Sequence, residues 1–200
     1  MTTVGVLAVQ GAFNLHQQTL RRCGVESVQV RTAEQLLSCD ALVIPGGEST
    51  VISKMLEAND LVQALGSAVA TGMPMLGTCA GMILLAGEID DGTADQTSFS
   101  AIDITVSRNF YGRQIDSFES SIDLVVPPEI ASGVDTGSPL DAVFIRAPGV
   151  SRVGDEVEVW AQHDGNAVLC RQGSVLVSSF HPELVPEDDR IHQLFLSLAG

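Results

Sequence analysis

Through the first 85 residues, short apolar runs alternate with amphipathic segments, and that alternation restricts the chain to a narrow set of folds. Residues 4–9 form a compact apolar run. After Gln10-Gly11 a helical pattern runs through Phe13, His16, Leu20 and Cys23 and stops at Gly24. Ser27–Val30 reads as a second strand and Ala33–Leu37 as a short helix. Ala41–Ile44 reads as a third strand that breaks into Pro45-Gly46-Gly47-Glu48-Ser49-Thr50. Asp60 is placed to cap a helix through Leu61, Leu65, Ala68 and Val69 to Gly72, after which Pro74 leads into another apolar run. Strands that alternate with helices in this way predict an α/β fold with three layers. The central sheet is expected to be mixed but mostly parallel, with helices on both faces.

After Ala86 the character changes. Asp90-Asp91-Gly92-Thr93-Ala94-Asp95 reads as a solvated acidic loop, followed by strand-like runs at 102–106, 115–118 and 122–126. Between the first two lies Arg108-Asn109-Phe110-Tyr111-Gly112-Arg113-Gln114, rich in arginine and aromatics for so acidic a chain. Residues 127–139 are rich in Pro, Gly, Ser and Asp and read as an exposed excursion. The sheet resumes at 142–145 and ends at Arg146-Ala147-Pro148. Residues 157–162, 167–171 and Val175–Ser178 read as consecutive strands, with Asp164-Gly165 as a hairpin turn. A closing helix carries Ile191, Leu194, Phe195 and Leu198 on one stripe with His192 beside it. His16 and His192 both read as packed, structural histidines. Without an internal repeat or a linker, residues 1–200 are expected to be one domain.

Charge narrows the function. A net charge of −15 with no basic stripe repels a phosphate backbone, which disfavours nucleic acid. No apolar run approaches the ~18 residues of a membrane span, and no basic leader precedes the first strand, so no membrane association and a cytoplasmic location are expected. Cysteines 23, 39, 79 and 170 lack paired spacing and are expected to be reduced. The four histidines show no ligand spacing, so no metal site is expected.

The chemistry gathers at Gly77-Thr78-Cys79-Ala80-Gly81, where an apolar run breaks at a cysteine between two glycines. Strand, sharp turn and helix are expected there, as in the cysteine form of a nucleophile elbow. At the start of a helix, the dipole and unpaired N–H groups favour the attacking thiolate. A buried, inert cysteine is the alternative, and its partners decide. Ser178-Ser179-Phe180-His181-Pro182-Glu183 ends a strand. Pro182 is expected to hold His181 extended, so that His181 and Glu183, two residues apart, face one site. Cysteine, histidine and carboxylate compose a nucleophilic triad in which His181 takes and returns the thiol proton and Glu183 orients the imidazole. The glycines of the Gly46-Gly47-Glu48 loop allow positive φ and close approach to a ligand. Their N–H groups are candidates to receive an oxyanion, and Ser49 or Thr50 to cap the next helix.

The elbow and the His181-Pro182-Glu183 segment together resemble the class I, triad-type glutamine amidotransferases. More narrowly, six motifs in order are similar to the glutaminase subunits of pyridoxal 5′-phosphate synthases. They are Gln10-Gly11, Pro45-Gly46-Gly47-Glu48-Ser49-Thr50, the elbow, Arg108-Asn109 with Gly112-Arg113-Gln114 and Asp116-Ser117-Phe118-Glu119, Phe144-Ile145-Arg146-Ala147-Pro148, and Ser179 to Glu183. The resemblance implies a flavodoxin- or Rossmann-like glutaminase fold and hydrolysis of L-glutamine by Cys79, His181 and Glu183. It assigns Gly46 and Gly47 to the oxyanion loop, and Gly47, Glu48, Ser49, Arg108, Ile145 and Arg146 to glutamine contacts. Ammonia would pass to a separate synthase subunit in a hetero-oligomer. Pyridoxal phosphate is then the pathway's product and no cofactor of this chain. Glutaminase subunits of histidine or anthranilate synthesis, or a non-catalytic scaffold on the same fold, are the alternatives. The long 127–139 excursion and the absence of a tail after the last helix depart from the family pattern.

Overall fold

The computed structural model describes residues 2–93, 95–108, 110 and 117–200. The first half runs β1 (Val4–Leu7), α1 (Phe13–Arg22), β2 (Ser27–Val30), α2 (Ala33–Leu37), β3 (Ala41–Ile44), α3 (Ser49–Ala58), α4 (Leu61–Ala70), β4 (Met75–Thr78) and α5 (Ala80–Leu85). Strands dominate the second half: β5 (Ala86–Ile89), β6 (Ile102–Ser107), β7 (Ser117–Ile122), β8 (Leu140–Ile145), β9 (Gly149–Val153), β10 (Glu158–His163), β11 (Asn166–Gln172) and β12 (Val175–Ser178). Helix α6 (Arg190–Ala199) closes the chain.

Seven strands form one sheet in the order β10-β11-β12-β4-β3-β1-β2. From β12 to β2 the pairings are parallel, while β10 and β11 are added antiparallel. β1, β3, β4 and β12 are buried at every position, which is why they read as continuous apolar runs rather than alternating ones. Alternation still sorts their side chains between the two layers. Val4, Val6, Ala41, Val43 and Leu76 pack with Leu20 of α1 and with Ile191, Leu194 and Phe195 of α6. Leu7, Leu42, Ile44 and Met75 pack on the other face with Leu36 of α2, Ile52 and Leu56 of α3, Leu61 and Leu65 of α4, and Met82 of α5. Each fully buried aliphatic side chain is worth roughly 1.5–3 kcal/mol. A one-residue slip would exchange the two sets, so the register of the central strands, and with it the position of their ends, is strongly specified. The expected three-layer architecture with a mostly parallel mixed sheet is the one observed. No helix among the described residues is long and apolar enough to cross a membrane.

Several local expectations are corrected. β5 and β9, which no sequence pattern announced, flank β6 in a separate three-stranded sheet. The run at 122–126 is no strand beyond Ile122. Residues 115 and 116 lie outside the described residues, and β7 begins at Ser117 to pair with β8. Asp60 stands at the start of α4, but with a left-handed backbone (φ 55°) and no side-chain cap. The 127–139 excursion is anchored to the last helix, since the Arg190 guanidinium donates to the carbonyls of Asp135, Ser138 and Pro139 at 3.2, 2.7 and 2.9 Å. Ile130 and Val134 of this segment pack against the core. The β10–β11 hairpin turns at Asp164 and Gly165, both at positive φ (49° and 77°). All four cysteines are free.

Candidate active site

β3, β4 and β12 are parallel neighbours, so their carboxyl ends lie along one edge of the sheet. The chain leaving each one carries part of the site. From β4 it turns through Cys79, at φ 50° and ψ −102°, directly into α5. Such a backbone is strained in a residue bearing a Cβ, by about 1–3 kcal/mol, so the surroundings must impose it. The Cys79 N–H donates to the Ser178 carbonyl at 2.8 Å. Two residues on, α5 packs so tightly that a Cβ on Gly81 would lie 2.1 Å from the Ile44 carbonyl oxygen. The result is a sulfur-bearing side chain at the mouth of a turn, 6% exposed.

From β12 the chain reaches His181, whose N–H donates to the Val143 carbonyl at 2.9 Å. The expected extended segment is absent here. A 3₁₀ turn over Pro182–Leu184, with proline at its first position, brings Glu183 back beneath the imidazole. Glu183 Oε1 then lies 2.8 Å from His181 Nδ1. That leaves Nε2 free to serve Cys79, which lines the same cavity as His181. Burial alone disfavours charge on His181. The hydrogen bonds to Cys79 and Glu183, with the electrostatic pull of both groups, outweigh it and raise the pKa to about 10. Burial likewise opposes ionisation of Glu183, yet the hydrogen bond and charge of His181 help to hold its pKa below the ordinary value.

The loop after β3 meets both groups at close range. A Cβ on Gly46 would lie 2.4 Å from His181 Cε1, and one on Gly47 would lie 2.2 Å from Gln10 Oε1. Neither glycine takes the expected positive φ; close approach is what requires them. α3 is capped by Glu48 rather than by Ser49 or Thr50. The Glu48 carboxylate accepts from the N–H groups of Thr50 and Val51 at 3.3 and 2.8 Å, and from the Thr50 hydroxyl. These bonds, with Arg108 nearby, overcome the effect of burial and lower the Glu48 pKa. Arg108 directly follows β6. Its guanidinium donates to Glu48 Oε1 at 3.2 Å, while its Nε is buried without a partner among the described residues. Ser49 donates its hydroxyl to Gln96 at 3.0 Å. At the end of β8, the Ile145 carbonyl lies 3.9 Å from Cys79 Sγ, and Arg146 has a left-handed backbone (φ 44°).

Gly47, Glu48, Ser49, Cys79, Arg108, Ile145, Arg146 and His181 all line one cavity of about 240 Å³. Glu183 and Gly46 stand behind it, against His181. A cavity below the roughly 300–1,000 Å³ of drug-sized sites suits a substrate the size of one amino acid. A family model for the SNO glutamine amidotransferases matches residues 6–199.

The chain belongs to the SNO glutamine amidotransferase family.

Relatives agree with that membership. The pyridoxal 5′-phosphate synthase subunit PdxT of Corynebacterium jeikeium is 50% identical over 196 residues, covering 98% of this chain and 95% of the relative. PdxT of Herpetosiphon aurantiacus is 49% identical over 198 residues, covering 98% and 100%. A crystal structure of a glutamine amidotransferase superposes with a TM-score of 0.86 at 43% identity, covering 98% of both chains.

Two cavity-lining residues were not among the expected site residues. Gln10 accepts the Glu48 N–H at 3.0 Å and so braces the loop. Its signal was the Gln10-Gly11 break after β1, where Gly11 has φ 92°. Ile83, on α5, carried no signal beyond its helical pattern. Asn109 and residues 111–114 of the arginine- and aromatic-rich stretch lie outside the described residues, as do residues 115 and 116. Among those described, no cluster of three or more His, Cys, Asp or Glu could hold a metal ion.

Proposed function

We infer that this chain is the glutaminase subunit of a pyridoxal 5′-phosphate synthase, with Cys79 as nucleophile, His181 as acid–base and Glu183 as the orienting carboxylate. Cys79 gives its thiol proton to His181 as Sγ adds to the side-chain amide carbon of L-glutamine, and the carbonyl electron pair moves to oxygen. N–H groups of the Gly46-Gly47 loop receive that charge, a contribution often worth ~3–4 kcal/mol. Collapse breaks the C–N bond, and the proton on His181 goes to the departing ammonia. Water then attacks the thioester, gives a proton to His181 and releases glutamate and the thiol. Arg108 and Glu48, opposite charges 3.2 Å apart on the cavity wall, suit the carboxylate and ammonium of a free amino acid. Ile145 and Arg146 would border the glutamine backbone, and Gly47 and Ser49 its other side. The ammonia passes to a synthase subunit bound in a hetero-oligomer in the cytoplasm.

The observation that carries this inference is the Cys79–His181–Glu183 line, with Glu183 Oε1 2.8 Å from His181 Nδ1, beside a cavity of amino-acid size. Membership of an amidotransferase family and PdxT relatives of nearly full length support it. Glutamate release, measured with and without a PdxT-type synthase partner, tests it. Cys79→Ala should lower the rate at least about a thousandfold, and the partner should raise the wild-type rate. A Cys79→Ala protein that keeps the wild-type rate would sink the assignment, and equal rates with and without the partner would count against the subunit role.

A further inference from the structure

Behind the triad lies a buried pair of histidines that the hydrolytic steps do not employ. Glu183 presents Oε1 to His181, but its Oε2 is buried and has no well-formed hydrogen bond among the described residues. What Oε2 faces is His16 Nε2, 3.4 Å away. His16 projects from α1 and His192 from α6, both 0% exposed, on the face of the sheet that carries Leu76 and Thr78. His16 Nε2 also lies 3.3 Å from the Thr78 hydroxyl, and His16 Nδ1 lies 2.9 Å from His192 Nε2. His192 Nδ1 has no partner among the described residues.

These contacts give the protons a direction. A neutral imidazole has one donor and one acceptor nitrogen. With the protons on Nδ1 of both rings, His16 would donate to His192. A buried N–H of His192 would then be orphaned, and a lone pair of His16 would face a carboxylate. With the protons on Nε2, His192 donates to His16 and His16 donates towards Glu183. The orphan is then an acceptor, the less costly defect. Burial lowers the pKa of both histidines, and for His16 it prevails over the pull of Glu183. The charged and titratable groups around the pair are Glu183 and His181 on the His16 side and Arg22 on the His192 side.

We propose that His16 is a positioning residue for the amidotransferase reaction: neutral and protonated on Nε2, and held in that tautomer by His192, it steers Glu183 Oε2 so that Oε1 stays on His181. The inference rests on the proposed glutaminase activity, so its test includes readouts that need no turnover. In ¹⁵N-histidine NMR of the wild-type protein, His16 and His192 should both be Nε2–H tautomers; a His16 protonated on Nδ1 overturns the proposal. In the complex with synthase, His16→Leu should lower kcat for glutamine about tenfold while leaving KM within about twofold. Alkylation of Cys79 by iodoacetamide at neutral pH should slow in parallel. His16→Gln, whose amide can donate to Oε2, should recover most of both rates. A folded His16→Leu protein with wild-type kcat and alkylation rate overturns the proposal. If His16→Leu does not fold, the wild-type tautomer and the His16→Gln rates decide. A wild-type chain that hydrolyses no glutamine would sink the glutaminase assignment, and His16 would then be judged by its tautomer and by Cys79 alkylation.

Discussion

Cys79 and Arg146 both line the cavity and both hold positive φ, 50° and 44°, in residues that have a Cβ. Glycine would relax either backbone, but at the elbow it would remove the sulfur. The protonation of the neighbouring pair has a defined sign. The His181 pKa, near 6.5 when unfolded, is raised to about 10, so its contribution to stability is complete below about pH 6.5 and disappears as pH rises through 10. The Glu183 pKa is lowered, so its contribution is present above about pH 4.3 and is lost as pH falls through the folded value. The unfolding free energy of wild type relative to His181→Gln should therefore be larger at pH 6 than at pH 10, by ~2 kcal/mol or more. A difference that stays flat or grows with pH contradicts the buried ion pair. At this scale the sequence was legible in residue types and ordering. Cys79, His181 and Glu183 stood out by motif, but an extended segment was expected where a 3₁₀ turn brings the last two together. Gln10 escaped selection because its role is to brace another loop, which no local pattern encodes.

Elements place these residues through tight backbone packing. Gly81→Ala sets a Cβ 2.1 Å from a main-chain oxygen of β3 that cannot move aside, whereas a Cβ on Gly66, in α4, meets nothing within 4 Å. Gly81→Ala should destabilise by about 1–3 kcal/mol and reduce glutamine turnover. Gly66→Ala should be neutral or stabilise by up to ~1 kcal/mol. Thermal unfolding of the two variants checks the contrast, and equal melting temperatures would contradict it. The first-half elements were legible because fully buried parallel strands and amphipathic helices write strong periodic patterns. β5 and β9 were not. Ala86–Ile89 follows α5 with no breaker, and Gly149–Val153 is exposed over its last three residues, so pairing with β6 rather than local pattern makes both into strands. β7, Ser117–Ile122, was legible only at its ends, at 117–118 and 122, and the residues between gain their strand geometry from β8.

Across the whole molecule, the strand order explains where the site lies. From β1 the chain goes to β2 on one side and then crosses to β3 and β4 on the other, so the direction of winding reverses between β1 and β3. Open α/β sheets bind ligands in the crevice outside that point. Gln10 leaves β1 there and the Gly46-Gly47 loop leaves β3, in contact with each other. β4 adds Cys79 and β12 adds His181 and Glu183, and Arg108 after β6 with Ile145 and Arg146 at the end of β8 complete the cavity. The β-α alternation foretold that such an edge would exist. Which second-half strands return to it depends on long-range pairing, and neither β12 beside β4 nor the small sheets could be placed from local pattern. The most direct measurement is covalent capture by a diazoketone analogue of glutamine, followed by peptide mapping by mass spectrometry. One adduct per chain is predicted, on Cys79, suppressed by excess glutamine and lost in Cys79→Ala. Labelling of Cys23, Cys39 or Cys170 instead, or glutamine hydrolysis with no adduct on Cys79, would contradict the account.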